Sequence, residues 1–302
     1  MAGVVVVAAA IAVFFFRQST SHGGEVFLQA ASADGRDPFT ASTAKAYGAS
    51  ATAKPVAPGG SGGGTRSVQG STPGLYGGRR NHSNCDVERQ IGYLTQNQAK
   101  GRGFAGAAGI QQGDLAGYLR GLTPLQLRAD TRVTNHGWKD GSVTSYQSVL
   151  QAGTAVLVDD RGMPRVRCAC GNPLGPPIAA EGTPKAQGDT WPLYKPSDVV
   201  VATPADSVMD VMVVYDPDTG EWFERPVGTT GEEDRSIEKP SEGVTPGPTR
   251  KEPAPTSRAP SKAPPPQQHT TAPPPSPATP HMPPPSPNVP PPAYGPPPGR
   301  AG

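Results

Sequence analysis

TAVLVDDRGMPRVRCAC, running from Thr154 to Cys170, is the stretch that decides the fold. Thr154 to Val158 is a short run rich in aliphatic and β-branched residues, and Arg165 to Cys170 alternates apolar with polar positions. Asp159-Asp160-Arg161-Gly162 lies between them with turn chemistry, since Asp side chains accept from nearby amides and Gly162 is free to take a left-handed conformation. The stretch is a β-hairpin. Downstream, Val208 to Tyr215 and Glu221 to Arg225 flank the turn Asp216-Pro217-Asp218-Thr219-Gly220 as a second hairpin, and Val199 to Ala202 adds a strand. Gly175 to Gln187 reads as a Pro/Gly loop. Upstream, Leu125, Leu127, Ala129, Thr131 and Val133 alternate with polar residues, whereas before Pro124 the period is helical. Val87, Ile91 and Leu94 repeat at helical spacing behind Ser83 or Asn84 as cap, with Asp86 and Glu88 in the first turn. A second helix is expected over 99–108, ending at Gly109, and a third carries Leu115, Tyr118, Leu119 and Leu122. Helices first and strands after predict an α+β class, a short helical N-terminal part packed on a mostly antiparallel sheet or partly open barrel.

Composition sets the limits of that domain. The chain has 302 residues with 39 prolines and 38 glycines, and 24 of the prolines fall between Pro240 and Gly302. A tail over 229–302 is therefore expected to be disordered with polyproline II character, because proline fixes φ and removes the amide donor. From Pro240 onward five Lys/Arg stand against two Glu, a net of +3, so the remainder of the +2 chain carries about −1. That balance excludes a strongly basic nucleic-acid-binding core. Ser50 to Thr72, centred on GGSGGGTR, reads as a flexible insert, with order beginning near Leu75.

Residues 1–17 hold an apolar run, Ala2 to Phe16, that ends at Arg17. Its 15 residues fall short of the roughly 20 that span a bilayer. The expectation is an anchor whose basic segment and several apolar residues lie upstream of Met1. An uncleaved anchor is preferred to a cleaved signal because the first Ala-x-Ala, Ala31-Ser32-Ala33, stands well past the run.

Three cysteines are the first candidates for chemistry: Cys85 at the start of the first helix, and Cys168 and Cys170 on either side of Ala169. If Cys168 and Cys170 lie in a strand, both sulfurs project to one face and either can meet Cys85, which leaves one thiol over. In an oxidising compartment this predicts a bridge from Cys85 to Cys168 or Cys170. A zinc site would need His82 or His136 to converge on them, and the spacing falls short of a zinc signature. Asn135, His136 and Trp138 form a polar and aromatic cluster beside a strand end, which reads as a structural turn. A Cys-His-Asn hydrolase built from Cys170, His136 and Asn135 is the enzyme alternative, and it requires the three to converge. Gly59 to Gly63 matches G-x-S-x-G without the strand and helix the elbow needs, and Asp216 to Glu221 lacks most ligands of a calcium loop. Pro291-Pro292-Ala293-Tyr294 fits a PPxY docking peptide. No cofactor motif is present, neither a phosphate loop nor a dinucleotide fingerprint.

GLYGG at 74–78, the Cys85-Asp86 helix start, DTRVTNHG at 130–137, LQAGTAVLVDDRG at 150–162 and VRCACGNPL at 166–174 together resemble an uncharacterised domain of high-GC actinobacteria. The similarity runs from EVFLQAA at Glu25 to Gly228, so it places the domain at 25–228 and disfavours cleavage at Ala33. Members of that family are membrane-anchored or exported proteins, some with proline-rich extensions, and the resemblance implies the same placement without supplying catalytic residues. The expected protein is an envelope-anchored binding or structural module with its domain outside the cytoplasm. Its expected partner is a cell-wall polymer or another envelope protein, engaged through the domain or the tail. A reversed topology would make the tail a cytoplasmic docking segment.

Overall fold

The chain enters its fold as a strand. In the computed structural model, which describes residues 24–45, 66–179 and 184–241, β1 (Glu25–Gln29), β2 (Arg66–Gln69) and β3 (Tyr76–Gly77) all precede the helices. The helices α1 (Val87–Gln96), α2 (Gln98–Ala108) and α3 (Leu115–Arg120) follow as an insertion between β3 and β4 (Thr123–Leu127). The expected helical N-terminal part is thus corrected. EVFLQ has the period of a strand, and the partners that make β1 and β2 strands lie far along the chain: Phe27 pairs with Ser148, and Arg66 with Val200. The apolar run at 2–16, the insert from 50 to 65, Gly59 to Gly63, and the tail from 242 with its PPxY segment lie outside the described residues. Among the described residues no helix is long and apolar enough to cross a membrane.

The helices form for the reasons their spacing gives. Val87, Ile91 and Leu94 of α1 are buried, and the cap is Asp86, whose side chain accepts from the Arg89 amide at 3.0 Å. Asn97 caps α2, and Gly109 ends it in the left-handed region at φ 72°. Two of the three glycines that weaken α2 locally are set by packing. A Cβ at Gly101 would lie 2.6 Å from the Leu94 carbonyl oxygen, and one at Gly103 would lie 2.5 Å from the Trp138 ring.

The remaining strands are β5 (Thr131–Lys139), β6 (Ser142–Leu150), β7 (Ala155–Val158), β8 (Pro164–Arg167), β9 (Asn172–Gly175), β10 (Lys185–Gln187), β11 (Val200–Thr203), β12 (Val211–Tyr215), β13 (Trp222–Pro226) and β14 (Arg235–Ile237). They form an open sheet in the order β10-β1-β6-β5-β9-β8-β7-β4-β3-β12-β13-β14, with β11 joining β2 to β5. Eight of the thirteen strand pairings are antiparallel and five are parallel. Both expected hairpins are present, as β7-β8 and β12-β13. The alternation from Leu125 to Val133 is split between β4 and β5, which have different neighbours. Part of the expected loop at 175–187 is β10, which runs parallel to β1.

The core explains why TAVLV is apolar throughout. Val156 and Val158 of β7 enter a cluster with Val68, Val133, Leu150 and Phe223, drawn from strands at both ends of the sheet. Leu157 points the other way, into a cluster with Phe39, Ile91, Leu94, Phe104 and Leu119 under the helices. A strand buried on both faces has no polar side to show. In the turn after it, Asp159 accepts from the amides of Arg161 and Met163. Gly162, at φ 74°, backs onto Gly70 so closely that a Cβ would meet the Gly70 carbonyl oxygen at 2.4 Å.

The fold starts within the expected bounds of 25–228 and runs past them at the C-terminal end, and order is present well before Leu75. Phe39 is fully buried under the helices, and β2 belongs to the sheet rather than to a flexible insert. At the other end β14 pairs with β13, and Asp234 makes a fully buried ion pair with Arg225 at 2.6 Å. The guanidinium of Arg225 also donates to the carbonyls of Pro124 and His82, so every part of that charge is answered. Residues 229–237, assigned to the tail by composition, are therefore part of the fold.

Candidate functional site

Cys85 sits one residue before the cap of α1, in a short antiparallel bridge with Ala44. The bridge is closed by backbone bonds from Lys45 to the Asn84 carbonyl and from Asp86 to the Thr43 carbonyl, both 2.8 Å. Cys168 begins the turn between β8 and β9, and its carbonyl accepts from the Thr43 amide at 2.8 Å. The two cysteines are joined as a disulfide across a sequence separation of 83. Of the two pairings the sequence left open, this is Cys85 to Cys168. The idea that both later sulfurs share a strand face is corrected, because 168–171 is a turn and its residues do not alternate. Cys170 remains a free, buried thiol whose sulfur lies 3.6 Å from Nη1 of Arg167. Burial pushes this thiol up, against the opposing pull of the Arg167 guanidinium and the Asn172 amide.

Asn135, His136 and Trp138 do not converge on a sulfur. Asn135 and His136 are successive residues of β5 and project to opposite sides of it. Asn135 is fully buried, donating to Gln29 at 3.2 Å and accepting from Asn172 at 2.9 Å. His136 is half-buried beside Gly175, and burial pushes its imidazole pKa down. Trp138 packs its ring on Phe39, with centroids 5.6 Å apart. Among the described residues no hydrogen bond joins His136 to a cysteine, and two of the three sulfurs are taken up in the bridge.

Beneath the 30–37 loop, Asn135 belongs to a buried polar network. The Tyr146 hydroxyl donates to the Arg36 carbonyl at 2.6 Å, and burial holds its ionisation up at about 12. Asn172 accepts from the Phe39 amide at 2.9 Å. Arg167 is fully buried and donates to the carbonyls of Ala30 and Ala33 at 2.8 and 2.6 Å. A Cβ on Gly35, at φ 77°, would collide with the same guanidinium. This network gives VRCACGNPL a physical role, since Arg167, Cys168 and Asn172 fasten the segment before residue 46 to the sheet. In the same way Asp130 accepts from the Trp191 indole at 3.0 Å, and Gly74 lies against Trp222 and Arg128 with no room for a side chain. These groups hold the fold together.

Open space lies on the other side of the disulfide. A cavity of about 360 Å³ is bounded by Cys85, the first turn of α1, the end of α3 and the chain at 228–230. Its charged wall is Lys45, Asp86, Glu88 and Arg120. Arg120 donates to both oxygens of Glu88, at 2.7 and 2.8 Å, and this contact holds the Glu88 carboxyl below its ordinary range. The polar neutral groups are engaged. The Ser83 hydroxyl donates to the Cys85 carbonyl, the Thr230 hydroxyl to Glu232, and the Gly228 amide to Thr123. Lys45 is exposed and its ammonium has no partner among the described residues. No residue pattern marks this site, because Glu88 and Arg120 are 32 residues apart and meet through the packing of α1 on α3.

Comparison with known proteins gives one match. The model of a family described as a domain of unknown function (DUF6777) matches residues 66–228, more than half of the chain. No curated protein and no solved structure matches. The matched segment leaves out β1, Phe39 and Asp234, all of which are integral to the fold.

Proposed function

The chain belongs to the family of the domain of unknown function DUF6777, and from that premise we propose that it is a disulfide-stapled binding module working outside the cytoplasm, held at a membrane by its N-terminal apolar segment. The observation that carries this reading is the Cys85–Cys168 bridge. Both sulfurs are buried, and the bond ties the helical insertion to the turn between β8 and β9. Structural disulfides of this kind persist in oxidising compartments and are rare where thiols are kept reduced. The position of β1 supports an uncleaved N-terminus. A cut after Ala33 would remove a strand that pairs with both β6 and β10, along with both carbonyls that hold Arg167.

Binding is preferred to catalysis because Cys170, the nucleophile of the enzyme alternative, is buried, makes no hydrogen bond to His136 among the described residues, and has surroundings that do not favour the thiolate. The module would contact a cell-wall polymer or another envelope protein, through the domain or the tail. Protease treatment of intact cells, followed by immunoblotting for the domain, tests the placement. Digestion in intact cells supports it. Protection in intact cells with digestion after lysis contradicts it and favours the cytoplasmic docking tail.

A further inference from the structure

Near the edge of the sheet where β10, β1 and β6 lie side by side, Val26, Leu28 and Val149 are buried with Val199, and Trp191 and Tyr194 pack against them. The Trp191 indole is fixed to Asp130 at 3.0 Å, its ring centroid lies 5.1 Å from that of Tyr194, and the Tyr194 amide donates to the Trp191 carbonyl. This closed turn turns Pro192 and Leu193 out to solvent, leaving Leu193 63% exposed. Ile178, 61% exposed, stands on the same face of the sheet. Its amide donates to Gln147, and its carbonyl accepts from Arg132, the cross-strand partner of Val149. Leu193 and Ile178 are the two most exposed large apolar side chains among the described residues. A lone exposed leucine is ordinary on a protein surface. Here two such side chains share one face with a fixed aromatic pair.

The reach of the chain limits what lies against this face. Val26 and Leu28 belong to β1, which begins at Glu25, and only seven residues separate Glu25 from Arg17 at the end of the apolar run. Fully extended, that stretch reaches about 25–30 Å, so a bilayer that holds the apolar run is no farther than that from β1. We propose that this face rests on the lipid surface, with Leu193 and Ile178 inserted at the boundary between headgroups and acyl chains and with Trp191 and Tyr194 at the headgroup level, where such rings are favoured. The proposal rests on the reading of the chain as held at a membrane by its N-terminal apolar segment, and adds which face of the domain meets the bilayer. Within 185–198, Lys185 and Lys195 balance Asp189 and Asp198, so apolar burial drives the contact and anionic lipid is not required. The tether makes the contact intramolecular, so burying a few side chains is enough to populate it.

The test uses the full-length protein reconstituted in phosphatidylcholine vesicles, with Cys170→Ala as background and a fluorescent NBD label introduced through Leu193→Cys or, as control, through Val208→Cys. Val208 is 50% exposed and lies beside the 159–162 turn, where the Met209 amide donates to Asp160. Flotation of the vesicles on a density gradient reads the anchoring separately. A nitroxide carried by the lipid near its headgroup is expected to quench the label at position 193 several-fold more strongly than the label at position 208, and equally in neutral and anionic vesicles. Adding Ile178→Asp should bring the quenching at position 193 down towards that of the control. All three positions are exposed, and thermal melts matching the Cys170→Ala parent confirm that the variants are folded. Floating protein whose label at position 193 is quenched no more than the control would overturn the proposal while leaving the anchoring intact. So would a label at position 193 that is shielded from water yet untouched by the lipid nitroxide, since a second copy or another protein would then cover the face. Quenching confined to anionic vesicles would also overturn it. Protein that fails to float would overturn the proposal and the membrane-held reading together.

Discussion

Replacing both bridged cysteines, Cys85→Ala with Cys168→Ala, should destabilise the domain by an amount that its connectivity sets. The bond closes a loop of 83 residues. By loop entropy, opening it returns about 4.5 kcal/mol to the unfolded chain. In a domain of this size each kcal/mol moves Tm by roughly 2–4 °C, so a fall of roughly 10–15 °C is expected. The cluster around the bridge, with Phe39, Ile91 and Leu94, should keep the variant folded at room temperature. Differential scanning calorimetry on oxidised wild type, the double variant and Cys170→Ala makes the comparison. Cys170→Ala deletes a buried sulfur without opening a cross-link, so it isolates the packing component. Wild type treated with reductant should melt with the double variant. A double variant whose Tm falls no further than that of Cys170→Ala would mean that the bridge does not constrain the unfolded chain.

Other outcomes follow from single features. A fragment of residues 66–228, the matched segment alone, should lack a cooperative melt, whereas residues 24–241 should retain one. The shorter piece loses β1, Phe39 and the acid that answers Arg225, and circular dichroism melts distinguish the two. Arg225→Met leaves Asp234 buried without its partner and should cost about 3–5 kcal/mol in urea unfolding, while Arg225→Met with Asp234→Leu should recover much of the loss. Burial lowers the pKa of His136 in the folded state. The unfolded chain then takes up its proton first, so this contribution to stability is full above the usual value of about 6.5 and is lost as pH falls through the lowered folded value. His136→Gln should flatten that part of the pH profile of urea midpoints, and an unchanged profile would remove His136 as its source.

Local pattern made the hairpins and helix faces legible. The Asp159 to Gly162 turn, the Asp216 to Gly220 turn and the Val87, Ile91, Leu94 stripe all act within a few residues, and all stand as the sequence implied. The strand character of Arg66–Gln69 was not legible, because it comes from pairing with β11. Nor was the reach of the domain to Ile237, where acidic and proline-poor residues looked like tail until Asp234 found Arg225. Among candidate site residues, the cysteine count gave the bridge and its helix end. It could not separate Cys168 from Cys170, since that depends on a turn where a strand was expected. The cavity was invisible for the same reason as β2, because its walls come from segments near 45, 85, 120 and 230 that meet only in the folded chain.

The state of the three cysteines in the cell decides whether the Cys85–Cys168 bridge forms where the protein works. Cells are quenched in acid, denatured and blocked with N-ethylmaleimide, and the protein is then reduced and labelled with a second maleimide before peptide mapping. The first label is expected on Cys170 and the second on Cys85 and Cys168. The first label on all three cysteines would remove both the bridge and the case for an oxidising compartment.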